Sequence, residues 1–166
     1  MPKVTEHGGP DPLPDPVANV RRALTAAGVA DTVRVFPGKV PTAAAAAAAL
    51  GCDVAAITNS LVFELDGAPL LILASGAARV DTAYVSAQLG AGRIRRATPD
   101  FVVEHTGQEV GGVAPVGHPE KIHTLLDASL EEHVTLWAGA GDHHSMFAIS
   151  YEELRRITGA HPLRVR

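Results

Sequence analysis

Apolar and polar positions along this chain follow two periods in turn. Val17, Val20, Leu24 and Ala27 recur at helical spacing. Asp15 and Pro16 precede them as an N-cap and a first helical position, and Gly28 ends the run. TVRVF (32–36) alternates like a short strand. PTAAAAAAALG (41–51) looks low in complexity, but alanine is the best helix former, so Thr42 as cap and Gly51 as stop predict a helix packed closely on a neighbour. Residues 57–65 then read as a strand, Asp66-Gly67 as a two-residue hairpin turn, and PLLILAS as the returning strand.

The second half continues the mixture. Asp81 caps a predicted helix over 82–89 that Gly90 ends, and GRIRRA (92–97) reads as a short basic strand or edge. Thr98-Pro99 opens another helix, stopped by Gly107. The stretch 107–119 is a loop rich in glycine and proline. Strands are expected at 121–126, 134–138 and 145–149, and Ser150 with Glu153 forms a capping box for a last helix ending at Gly159. Residues 1–14 are expected to be a disordered tail, with 15–166 forming one mixed α+β domain.

One position resists this pattern. If Ile57, Leu61 and Phe63 face a core, the strand period sends Asn59 the same way. A buried amide without partners costs roughly 1–3 kcal/mol, so the position calls for a reason that the strand pattern alone does not give.

Composition narrows the classes. Aromatic residues make up only 4% of the chain, so Ala, Val and Leu carry the packing. The net charge of −4 supplies no global basic field for nucleic acid. A lone cysteine, Cys52, excludes an internal disulfide and a cysteine-rich zinc site, and reads as a small buried hydrophobe in a reducing cytosol. The N-terminus lacks a signal pattern and no apolar run approaches a membrane span, so a soluble, cytoplasmic protein is expected.

Familiar catalytic signatures are missing. Eight histidines invite a metal, yet no HExxH or comparable spacing occurs, and His143 and His144, if on a strand, would point to opposite faces. There is no GxSxG elbow, and GGVAPVG lacks the lysine of a P-loop. No metal or other cofactor is expected. GGVAPVGHP is the more specific object: its glycines let backbone N–H groups approach a ligand oxygen, and Pro115 stiffens the loop. By composition alone an ordinary surface turn is the commoner outcome. Arg93, Arg95 and Arg96 can touch a phosphate backbone or simply form a solvated edge. A second glycine loop, GAGDHHS, carries Gly141 and His144 as candidate ligand contacts.

In combination, LGCDVAAITNSLVFELDGAPLLILASGAARVD, GGVAPVGHP and LWAGAGDHHSMFAISYEEL resemble the YbaK-type aminoacyl-tRNA deacylases, free-standing relatives of the editing domain of bacterial prolyl-tRNA synthetases. The resemblance runs from about residue 17 to 160. It implies a compact, mostly antiparallel mixed sheet curled toward a barrel and surrounded by helices. It also implies hydrolysis of the ester joining a wrong small amino acid to the 3′ end of a tRNA, often tRNA(Pro), without a protein nucleophile. Asn59 and Gly112 become the catalytic candidates on this reading, with Ser60, Gly111, Pro115, Gly117, His118, Gly141 and His144 lining the substrate. Many relatives carry lysine where this chain has Asn59, and an amide binds phosphate less strongly than a cation. The alternative is therefore a non-catalytic module that binds tRNA ends, a nucleotide or prolyl-tRNA synthetase. Neither reading implies a membrane or DNA partner.

Overall fold

A computed structural model describes residues 15–166. The expected tail at 1–14 lies outside the described residues. In chain order the elements are α1 (Pro16–Ala26), β1 (Arg34–Val35), α2 (Ala43–Leu50), β2 (Ile57–Leu65), β3 (Ala68–Ser75), α3 (Thr82–Leu89), β4 (Ile94–Arg96), α4 (Pro99–Thr106), β5 (His123–Asp127), β6 (Leu136–Gly139), β7 (Ser145–Ile149), α5 (Tyr151–Thr158) and β8 (His161–Leu163). Short 3-10 turns at Val54–Ala56 and Ala128–Glu132 precede β2 and follow β5.

Local chemistry sets the boundaries. Asp15, Thr42, Asp81, Thr98 and Ser150 each accept a backbone N–H of the first turn of the helix they cap. Gly51, Gly90, Gly107 and Gly159 close α2, α3, α4 and α5 in the left-handed conformation that a side chain disfavours. The β2–β3 turn needs positive φ at both central residues, and Asp66 (52°) and Gly67 (83°) supply it.

The strands form one mixed sheet in the order β1-β7-β6-β2-β3-β5-β8, with β4 also on β2. Pairs β1/β7, β7/β6, β2/β3 and β2/β4 are antiparallel, while β2/β6, β3/β5 and β5/β8 are parallel. The sheet stays open between β1 and β8 rather than closing as a barrel. Strand β2 pairs with β3 over all but its first residue, from Thr58↔Ser75 to Leu65↔Ala68. Its other edge is divided. Ile57 and Thr58 pair with β6, and Phe63, Glu64 and Leu65 pair with β4. Residues 59–62 have no strand partner on that edge, so the sheet contains a seam.

Leucine, alanine and valine fill the core, as the scarcity of aromatics requires; Phe147 is the one aromatic ring among the largest fully buried side chains. One cluster, holding Leu71, Leu73, Val113, Ala138 and Phe147, packs beneath α1, α4 and α5, with Val62 against it. A second, holding Leu70, Ile72, Val85 and Leu125, takes Leu61 and Phe63 from the other face of β2. A third joins α2 to Ile57 and Met146, with the half-buried Cys52 at its margin.

Several expected boundaries shift. TVRVF contributes only two strand residues, because β1 is an edge whose Val35 stays exposed. The strand expected at 121–126 is His123–Asp127, and that at 134–138 is Leu136–Gly139. Strand β8 was not expected: HPL is short and contains a proline, which an outer strand tolerates because one of its edges needs no N–H. His143 and His144 lie in the turn between β6 and β7, not on a strand.

Candidate functional site

A cavity of about 570 Å³ opens along the seam of β2, within the range of small-molecule sites. Its walls are the stretch Ile57–Phe63 without Asn59, the start of α2, the segment 78–80, Val102 of α4, Gly111 and Val113 of the glycine loop, and Gly139, Asp142 and Ser145 around the β6–β7 turn. Arg79 and Arg96 are its cations. The lining is largely apolar, with a few polar groups concentrated on β2 and the two glycine loops.

Strand alternation assigns the groups on β2. Thr58, Ser60 and Val62 share the face that packs toward the glycine loop, while Leu61 and Phe63 belong to the opposite cluster. Thr58 is 2% exposed. The oxygens Thr58 Oγ1 and Ser60 Oγ are buried and have no hydrogen-bond partner in the protein. Asn59 is half-buried, and its side chain is not part of the cavity wall.

The glycine loop is held from behind. Gln108, fully buried, accepts the Ala114 N–H through Oε1 at 2.6 Å and donates from Nε2 to the Val116 carbonyl at 3.3 Å. Thr106 Oγ1 donates to the Val102 carbonyl and accepts the Gln108 N–H. His118 closes the same turn through a 2.8 Å contact between Nε2 and the Ala114 carbonyl. Burial lowers the His118 pKa, opposed by that hydrogen bond. The neutral ring with its proton on Nε2 therefore suits the site.

The glycines serve close backbone packing. A Cβ on Gly112 would stand 2.9 Å from the Asp142 Cα, and one on Gly139 would stand 2.9 Å from the Val113 carbonyl oxygen. The two glycine loops thus meet backbone to backbone beside the cavity. Gly117 (φ 84°) abuts Val20 of α1, and Gly141 (φ 114°) abuts Pro16. The Asp142 carboxylate accepts the His144 N–H, ordering the turn. His143 Nε2 lies 3.6 Å from Glu109 Oε2, which ties the turn to the first loop.

Of the residues singled out in the sequence, Ser60, Gly111 and Arg96 reach the cavity. Gly112 lies one residue behind the wall. Pro115, Gly117 and His118 line a separate shallow hollow of about 310 Å³ between the glycine loop and α1. His144 is half-buried in its turn and Gly141 is buried against α1; neither lines the cavity. Arg93 and Arg95 are exposed, and Arg95 stands opposite Glu64 in the β2/β4 register. Among the described residues, no three His, Cys, Asp or Glu side chains are grouped to hold a metal ion, and no helix is long and apolar enough to cross a membrane.

Thr58, Gln108, Asp142 and Arg79 were not singled out. For Thr58 a signal existed: the alternation that assigns Asn59 to one face assigns both of its neighbours to the other. Gln108 carries no such signal, since its role depends on a loop folding back over it.

Known proteins share this arrangement. Residues 38–157 match the family model of the aminoacyl-tRNA editing domain. Uncharacterized protein YwhH of Bacillus subtilis (strain 168) is 31% identical over 141 residues, covering 84% of this chain and 89% of that protein. A proline–tRNA ligase of Geobacter sp. (strain M21) is 32% identical over 100 residues, which cover 59% of this chain but 18% of the ligase. Among solved structures, one described as "a putative trans-editing enzyme for prolyl tRNA synthetase" is 34% identical with a TM-score of 0.86, covering 93% of this chain and 98% of its own. Hypothetical protein APE2540 is 28% identical with a TM-score of 0.82 over 89% and 98% of the two chains. The chain belongs to the aminoacyl-tRNA editing domain family, as a YbaK-type domain of the kind associated with prolyl-tRNA synthetase.

Proposed function

We propose that this chain is an aminoacyl-tRNA deacylase acting in trans, in the cytoplasm, on tRNA(Pro) that carries a small non-cognate amino acid. The supporting observation is the seam cavity, bounded by a braced glycine loop and polar groups of β2. The aminoacyl group and the terminal ribose occupy the cavity. A water molecule, oriented by the neighbouring ribose hydroxyl, attacks the acyl carbon and gives up a proton. The acyl–oxygen bond to the 3′ ribose breaks, its electron pair stays on the ribose oxygen, and that oxygen takes up a proton. With water as the attacking group, the amino acid leaves as its carboxylate. Backbone N–H groups of the glycine loop beside Gly112, whose own N–H donates to the Glu109 carbonyl, stabilise the charge that develops on the carbonyl oxygen, a type of contact worth about 10²–10³ in rate. Asn59 acts from beside the wall and Ser60 from within it. Arg96 meets the terminal phosphates, with Arg93 and Arg95 further out.

Pocket size alone separates substrates that differ by a methylene by only about 1–3 kcal/mol, so polar contacts must add to it. Asn59, uncharged where the resemblance gives many relatives a lysine, favours a second reading: a module that binds tRNA ends, a nucleotide or prolyl-tRNA synthetase without hydrolysis. Release of amino acid from a panel of mischarged tRNAs tests the first reading. Hydrolysis of none of them, with retained tRNA binding, selects the second.

A further inference from the structure

The hydroxyls of Thr58 and Ser60 are the unusual feature of the cavity. An unpaired buried hydroxyl costs roughly 1–3 kcal/mol, and here two lie on one face of one strand, both on residues of the cavity wall. Their surroundings explain why the protein itself leaves them unpaired. Thr58 pairs with Ala138 on one side and Ser75 on the other, and the Ser75 hydroxyl is taken up by the Ala55 carbonyl and the Ala77 N–H; Ser60 pairs with Leu73. The face they share is otherwise occupied by Val62, Leu71, Leu73 and Val113. The edge of β2 beside Ser60 has no neighbouring strand, and Thr58 and Ser60 both line the cavity. Rotation of χ1 between staggered wells turns either oxygen toward that space.

We propose that Thr58 and Ser60 form a specificity subsite for an aminoacyl side chain bearing a hydroxyl, so that seryl or threonyl esters are preferred over alanyl esters. This rests on the deacylase reading for the ester and deepens it by naming the side chain. A hydroxyl both donates and accepts, so one substrate oxygen can satisfy two protein hydroxyls in a chain of hydrogen bonds. An alanyl group fits the same volume but leaves both unpaired. Sites built to bond a substrate hydroxyl reject the analogue that lacks it far more strongly than apolar pockets reject one that adds it.

The test measures kcat/KM for seryl-, threonyl-, alanyl- and cysteinyl-tRNA(Pro) with the wild type, Thr58→Val and Ser60→Ala. It also measures binding of 3′-amino-3′-deoxyadenosine acylated on its 3′ nitrogen with a seryl or alanyl group, an amide that cannot be hydrolysed as an ester. The wild type should prefer seryl over alanyl ester by at least about tenfold, and each variant should bring that ratio toward one. Thermal unfolding of both variants should stay level or rise, since an orphaned hydroxyl is removed; a fall would assign the hydroxyls to internal support and overturn the proposal. Hydrolysis of all esters with no seryl preference overturns the subsite and leaves the deacylase reading standing. No hydrolysis, but tighter binding of the seryl than the alanyl analogue that both variants abolish, retains the subsite and overturns the deacylase. No hydrolysis and equal binding of the two analogues overturns both.

Discussion

The Asp142 backbone passes so close to Gly112 that a Cβ on Gly112 would meet the Asp142 Cα at 2.9 Å. Neither side is a flexible side chain, so Gly112→Ala must push the two glycine loops apart. Overpacking of this kind costs about 1–3 kcal/mol. In a chain of this size that lowers Tm by about 2–4 °C per kcal/mol. Thermal unfolding beside a deacylation assay is the check. Loss of both stability and activity is the expected outcome, because the loops that move are walls of the cavity.

Gln108→Leu keeps the volume and removes both polar contacts of the brace. The Ala114 N–H and the Val116 carbonyl then lose their partner in a buried setting, at about 2–4 kcal/mol together. Gln108→Glu should cost at least as much, since a carboxylate at this fully buried position stands against the Val116 carbonyl oxygen and loses its solvation. Urea unfolding should rank wild type above both variants.

Stability should depend on pH through His118. Burial lowers its folded pKa below the unfolded value near 6.5, so at mildly acidic pH the unfolded chain binds more protons. The contribution is complete above about pH 6.5, declines as pH falls below that value, and levels off beneath the folded pKa. Comparing Tm at pH 7.5 and 5.5 for wild type and His118→Gln should show a smaller acid-induced drop in the variant.

Asn59→Lys should alter tRNA binding more than Asn59→Ala alters turnover. The asparagine is short and lies beside the cavity wall, so truncation should lower kcat/KM by less than about tenfold, below the loss typical of a direct oxyanion donor. A lysine stem extends along the face shared with Leu61 and Phe63, both of which line the cavity. One added phosphate contact should steepen the dependence of log K on log salt by about 0.7–0.9. Arg96→Ala should flatten the slope by a similar amount, and Arg93→Ala by less.

Much of the local structure is legible in the sequence. Caps such as Asp15, Thr42 and Ser150 and left-handed stops such as Gly51 and Gly90 are local devices, so the sequence carries them directly. The Asp66-Gly67 hairpin is equally local. The site was less legible. Gly111 and Ser60 line the cavity, whereas nothing in the chain order takes Thr58 there, because chain position does not say which face of a strand meets a hole in the sheet. The seam depends on β6 and β4 sharing one edge of β2, a relationship between segments far apart in sequence. Gly117 and Gly141 looked like substrate contacts from the motif alone; the structure shows them pressed against α1.

That contact with α1 separates how the family is recognised from how its motif loops are supported. The matched segment begins at residue 38, whereas Pro16 and Val20, on which the two glycine loops lean, come before it. A protein trimmed to the matched segment would keep every motif and lose the abutment beneath both loops. Changes confined to α1 are therefore expected to shift both loops without touching a residue of the pocket.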